Sequence, residues 1–285
     1  DRLAALNLKE VSIVKGEGGE LTDKSGKKVG YPANENDEIP DDAMRNKETL
    51  ISLVLPDRLR KISGTTGGWA GAFSGCVNLS GSLIIPEGVV EIGPAAFSGC
   101  RNLNGELVLP STLRKIGVTS GDSNHCGTFL ECGFVCELKL PDDLEVIGAG
   151  AFIGCNNLYG EIRLPESLKA LGNGAFDMMH GINTNFTGNI VIPQGVVAIP
   201  ACAFKGCATG GTLTLHDGII SIGSQAFENC ALKGELRLPK NLESISHNSF
   251  YGCDFSGNLV LPENLFSIGD RAFAYNWRLM GTLEI

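Results

Sequence analysis

The stretch Leu238-Pro239-Lys240-Asn241-Leu242-Glu243-Ser244-Ile245-Ser246-His247-Asn248-Ser249-Phe250-Tyr251-Gly252-Cys253 is followed 23 residues later by Leu261-Pro262, Ile268, Phe273 and Asn276 at the same offsets. Self-similarity at a fixed period means that one small unit stacks on copies of itself and buries a continuous core only by stacking. Working outward, the Leu/Ile-Pro corner recurs at Pro56, Pro86, Pro110, Pro141, Pro165 and Pro193, and His216 stands in the same slot after Leu215. Phenylalanine marks each unit at Phe73, Phe97, Phe129, Phe152, Phe176, Phe204, Phe227, Phe250 and Phe273. A degenerate first unit, Ile39-Pro40-Asp41-Asp42-Ala43-Met44, aligns with Ile199-Pro200-Ala201-Cys202-Ala203-Phe204, Met replacing Phe. The chain is therefore expected to be a solenoid.

Within a unit such as Gly105-Glu106-Leu107-Val108-Leu109-Pro110, period-two alternation puts Leu107 and Leu109 on one side and Glu106 and Val108 on the other, as a strand requires. Proline has no N–H to give, so it ends the ladder. Successive strands travel the same circuit and are expected to run parallel. The Ile-Gly segment fits a second short strand or a tight turn, and Ala-Phe-x-x-Cys fits a short helical or 3₁₀ turn that drives the ring inward.

Three segments break the spacing. Gly64 to Trp69 falls between Ile62 and Phe73, Val118 to His125 falls between Ile116 and Phe129, and Met178 to Asn183 follows Phe176. The first two occupy the same corner two repeats apart, so with layers roughly 4.8 Å thick they are expected to project side by side. Residues 1–38 lack the full phrase and read as an N-terminal cap, leaving 39–285 as one continuous array, since solenoid ends need an atypical unit with a polar outer face. The opening at Asp1 without Met is what a mature chain looks like after a leader is removed.

Hydrophobic residues make up 43% and aromatic residues 7% of the 285, which suits ladders of Leu, Ile and Val. A net charge of −9 argues against a nucleic-acid partner, which demands clustered Lys and Arg. No apolar run approaches the roughly 18 residues of a membrane-spanning helix. No phosphate loop, dinucleotide fingerprint or acid/base/nucleophile set is present, so no catalytic residue and no cofactor is assigned.

Seven of the ten cysteines, Cys76, Cys100, Cys132, Cys155, Cys207, Cys230 and Cys253, lie three residues after a repeat Phe and read as a column of small buried residues with free thiols. Cys126, Cys136 and Cys202 stand outside it. The His125, Cys126, Cys132, Cys136 group lacks zinc spacing, so no metal is assigned; a local disulfide at Cys126 stays open.

The phrase Leu140-Pro141, Ile147-Gly148, Ala151-Phe152, Gly154-Cys155 resembles the BspA-like class of bacterial leucine-rich repeats, from about Ile39 to the end, and Leu6-Asn7-Leu8 looks like the cap of gut-bacterial members. The resemblance implies a right-handed leucine-rich repeat solenoid of about ten repeats of roughly 23–24 residues. It implies a parallel β-sheet on the concave side, with short 3₁₀ or helical turns or short strands on the other. It also implies a secreted or cell-surface protein with an adhesive role, and it carries no binding residue over.

Two surfaces are candidates for a partner, a protein or a glycan. One is the outward strand face, where Val54, Ile84 and Val108 form an apolar patch beside Glu106, Glu137, Glu161, Lys139 and Arg163. The stacked carboxylates are expected to be relieved by Lys139 and Arg163. The other is the insertion corner, where Trp69 offers an aromatic platform near Asp122, Asn124 and His125. A structural spacer or self-association scaffold within a larger surface protein is the alternative to a binding module, and a monomer is the expected state.

Overall fold

The computed structural model describes residues 5–7, 19–22, 28–31, 37–65, 71–119, 126–178 and 185–280. These form a parallel β-solenoid of about ten turns with no α- or 3₁₀-helix among the described residues. Each repeat passes three columns in order: the Leu strand ending at the proline corner, the Ile strand, and the Phe turn.

The three columns hold together differently. On the Ile side, Glu38–Ile39, Lys61–Ile62, Glu91–Ile92, Lys115–Ile116, Val146–Ile147 and Ala170–Leu171 make one unbroken six-stranded parallel sheet. Ala198–Ile199, Ser221–Ile222, Ser244–Ile245 and Ser267–Ile268 make a second of four strands. The interruption falls at the repeat lengthened after Phe176. Of the two options for the Ile-Gly segment, the short strand is the one adopted.

Its glycines serve close approach. A Cβ on Gly172 would lie 2.2 Å from the Ala149 amide nitrogen, and one on Gly148 2.4 Å from that of Val118, so these strands pass nearer to the preceding repeat than a side chain permits.

The expected continuous Leu ladder is instead divided. Ser52–Val54 pairs with Ala5–Asn7, Leu83–Ile84 with Leu107–Val108, Tyr159–Glu161 with Asn185–Val191 and then Gly210–Thr214, and Lys233–Glu235 with Asp254–Asn258 and then Arg278–Met280. One cause is visible at Cys136. The Leu107 N–H, which would donate to a carbonyl in an intact ladder, donates to Cys136 Sγ at 3.3 Å, so a side chain has replaced a rung.

The Phe turn is the column that never breaks. The amides of Met44, Phe73, Phe97, Phe129, Phe152, Phe176, Phe204, Phe227 and Phe250 each donate to a carbonyl of the next repeat at 2.7–2.9 Å, straight across all three insertions. A helical turn cannot do this, because its amides point along its own axis. The chain turns instead by placing left-handed residues two before and two after the ring, as at Asn248 (φ 54) and Gly252 (φ 67) around Phe250. Asn and Gly accept that conformation readily.

Inside, nine rings from Phe73 to Phe273 form one continuous stack, with centroids 5.1–5.8 Å apart and planes within 23°. Centroid spacings above the roughly 4.8 Å layer height mean that the rings are offset, the arrangement favoured by their quadrupoles. Phe134 and Phe255 meet the stack edge-on at Phe129 and Phe250. Around it the buried Leu, Ile and Ala side chains close into one core running the length of the array.

The cysteine column is buried as expected, but it does more than fill space. Each thiol donates to a backbone carbonyl one repeat back: Cys100 to Phe73, Cys132 to Phe97, Cys155 to Phe129, Cys207 to Phe176 and Cys253 to Phe227, at 3.0–3.2 Å. Burial pushes these thiols up, that of Cys76 to about 11 and those of Cys155 and Cys253 to about 12, which keeps the donor proton in place. Among the described residues no cysteine is joined in a disulfide, Cys126, Cys136 and Cys202 included.

Candidate functional site

On the Leu side, Val54 is 41% exposed, Ile84 63% and Val108 40%, so alternation does turn these aliphatic side chains outward. Leu83 and Leu107, their inward neighbours, are buried and in register with one another. The same face carries the predicted charges, and three of its carboxylates are met by the base two residues along the chain. Lys139 Nζ lies 3.5 Å from Glu137 and Arg163 Nε 2.7 Å from Glu161, with Arg237 repeating the arrangement 3.0 Å from Glu235. The Arg163 hydrogen bond, helped by the Asn189 backbone, holds the Glu161 carboxyl below the usual carboxylate range. Glu106 has Val108 in the place of the base, and its backbone N–H donates to Ser82 Oγ at 3.0 Å.

Two open depressions of about 400 Å³ each lie on this face. The first is lined by Val54, Ile84, Ser82, Pro86, Asp57 and Glu87, where Ser52–Val54 and Leu83–Ile84 do not pair. The second is lined by Glu106, Val108, Val135, Glu137, Lys139 and Tyr159, at the rung replaced by Cys136. The fold thus brings Glu106, Val108, Glu137 and Lys139 together, places Val54 and Ile84 in a neighbouring recess, and sets Glu161 and Arg163 beyond it. Val135 and Tyr159, both exposed, complete the second recess; they are in step with outward Glu137 and Glu161 but lie before the repeated strand phrase begins.

Trp69, Asp122, Asn124 and His125 lie outside the described residues. The feet of their two loops are described. Gly64 and Gly71 bridge antiparallel and press on Pro94 and Ala95, while from the other side the Cys126 carbonyl accepts from the Ala95 N–H at 2.8 Å. The described feet of both insertions therefore lie on the two flanks of one repeat. Among the described residues no group of three or more His, Cys, Asp or Glu side chains is arranged to hold a metal, and no helix is long and apolar enough to cross a membrane.

Comparison with known proteins accords with this architecture. The family model for the BspA type leucine rich repeat region matches in six copies over residues 70–121, 124–187 and 181–282. The chain belongs to the BspA-type leucine-rich repeat family. Among solved structures it is similar to a leucine rich repeat protein of T. pallidum, at 28% identity over 63% of this chain and 76% of that one, with a TM-score of 0.48. It is also similar to a leucine-rich repeat protein of Bacteroides ovatus, at 22% identity over 92% and 91% of the two chains with a TM-score of 0.37. A leucine rich cell surface protein of Faecalibacterium prausnitzii matches at 21% identity over 85% and 69%, with a TM-score of 0.48. No curated protein matches.

Proposed function

We propose that this chain is an extracellular binding module that engages a protein partner through its Leu-side face, with residues 1–38 serving as its cap. One observation carries the reading: the interrupted Leu ladder leaves two recesses in which exposed aliphatic side chains sit beside charged groups, Glu87 held by Ser111 in the first and Glu137 paired with Lys139 in the second. Rigid scaffolds that present apolar anchors with a polar surround suit protein contacts, since desolvation supplies affinity and the charges supply register. Members of the family are typically exported, which accords with a surface or secreted location. Trp69, Asp122, Asn124 and His125, in the insertions whose described feet flank Pro94-Ala95, are a second contact region of the same module.

The test is a solid-phase screen against immobilised extracellular-matrix proteins and mucins, comparing wild type with Ile84→Asp, Val108→Asp and Trp69→Ala. Either aspartate should weaken a genuine interaction about tenfold or more with unchanged thermal unfolding. Binding untouched by both would show that the Leu-side face is not the site.

A second reading, self-association within a larger surface assembly, draws on Val260, Phe266 and Met280, large side chains exposed on the last described repeats. Sedimentation equilibrium decides it: a monomer at all concentrations rejects it, and a dimer dispersed by Phe266→Ser supports it.

A further inference from the structure

On the Phe-turn side of the last repeats, away from the Leu face, lies a cluster that neither the family nor the reading above uses. Trp277 is 83% exposed and Tyr275 53%. Tyr275 packs edge-on against Trp277 at 5.5 Å and against Tyr251 at 4.8 Å, so three rings hold one another in place while leaving faces open to solvent. Tyr251 occupies the turn position that Glu228 fills one repeat earlier and Lys205 two repeats earlier, so the ring cluster continues a polar row.

That row is pre-organised. Glu228 receives Gln225 Nε2 at 2.7 Å and Asn248 Nδ2 at 3.5 Å, and its other oxygen lies 3.6 Å from Lys205 Nζ. Both members of the ion pair are largely shielded from water, and their charges cancel. Asn248 holds its own Oδ1 buried without a partner, a lone acceptor whose unmet hydrogen bond costs free energy unless something donates to it. Fixed rings with open faces, beside amide and carboxylate groups locked in direction and an ion pair whose charges cancel, describe a site for a ligand that is itself two-sided. One side must be C–H-rich enough to lie on an aromatic face and the other must carry hydroxyls to meet the polar row. An apolar peptide would strand the polar groups, and a charged one would meet a neutralised pair.

We propose that Tyr251, Tyr275 and Trp277, with Gln225, Glu228 and Asn248, form a binding site for a neutral saccharide, a pyranose stacking on the rings with its hydroxyls turned to the polar row that Asn248 helps to orient. The site stands apart from the Leu-side recesses, so the module carries two independent binding surfaces.

The test uses the whole chain on a microarray of neutral and acidic oligosaccharides. Titration of the strongest neutral ligand then follows tryptophan fluorescence in a Trp69→Phe background, where Trp277 is the remaining indole. The expected result is a saturable fluorescence change, about a tenfold or greater loss of affinity in Trp277→Ala and in Asn248→Ala, and full retention in Val108→Asp. Since Trp277 is exposed, its replacement leaves the core intact, and circular dichroism checks the Asn248 variant. The proposal is overturned if no neutral saccharide binds, if only acidic ones do, if binding ignores Trp277→Ala, or if Trp277 proves to be required for a protein partner alone. Because Val108→Asp spares this site, failure here is distinguishable from failure of the Leu-side reading.

Discussion

The Cys230 thiol donates to the Phe204 carbonyl one repeat back at 2.7 Å, and in the corresponding place Asn276 Nδ2 donates to the Phe250 carbonyl, also at 2.7 Å. An amide standing where other repeats have a thiol identifies the slot as one that must supply a hydrogen-bond donor in a small volume. The carbonyl it serves already accepts the N–H three residues on, as Phe204 does from Cys207 at 3.1 Å, and the side chain of the next repeat supplies a second donor.

Replacement of Cys230 by Val, which fills the space without a donor, should therefore destabilise the array by about 0.5–1.5 kcal/mol, the worth of one hydrogen bond, since the Phe204 carbonyl keeps the Cys207 N–H at 3.1 Å. Cys230→Ser should cost less than Cys230→Val, and Asn276→Cys should cost little. Urea unfolding monitored by circular dichroism gives the order, and a valine variant more stable than the serine one would return the column to plain packing.

Thiol ionisation sets an alkaline limit. In the unfolded chain the cysteines titrate near the reference value of 9.0, whereas folded Cys76 is raised to about 11 and Cys155 and Cys253 to about 12. The folded state thus holds protons that the unfolded state releases. This stabilisation is complete below pH 9 and is lost as pH rises from 9 towards 12. A pH series of melting temperatures should fall across that interval, and a series flat to pH 12 would contradict the buried column. At pH 8 the column thiols should resist maleimide until the protein is unfolded.

Phe204 lies between Phe176 at 5.6 Å and Phe227 at 5.4 Å. Its truncation to Ala should cost about 3–5 kcal/mol. Hydrogen exchange should quicken first in the two adjoining repeats, since each layer contacts only its neighbours. Uniform loosening of the entire chain would argue against a one-dimensional stack.

Two glycines should fail for different reasons. In Gly172→Ala the new Cβ meets the Ala149 backbone at 2.2 Å and forces the Ile strands apart, at a cost of about 1–3 kcal/mol. Gly257→Ala meets nothing within 4 Å, but its φ of +88° should still cost about 1–2 kcal/mol. Changing position 257 to Asn should recover part of the loss and Asn at 172 should recover none, as parallel unfolding measurements can show.

Much of this molecule is legible in the phrase Leu-Pro, Ile, Phe, Cys. The inward Leu and Phe, the outward Val54, Ile84 and Val108, the pairing of Lys139 and Arg163 with the carboxylates, and the shared corner of the first two insertions all follow from period and alternation. The less legible features lie where one repeat meets the next. Cys136 gives no sign in the sequence that its sulfur will stand in for a rung. The thiols of the column read as apolar until the carbonyls opposite them are located. Val135 and Tyr159 join a recess only because the ladder opens beside them.

Local pattern determined the stack, since a unit that cannot bury its own apolar face has no alternative to lying on its copy. Tertiary structure decided which column is continuous, where the Leu face opens, and that Tyr251, Tyr275 and Trp277 gather beside Glu228. Those outcomes depend on hydrogen-bond partners and ring contacts supplied by residues some 20 or more positions away, and a reading confined to one repeat contains only half of each such pair.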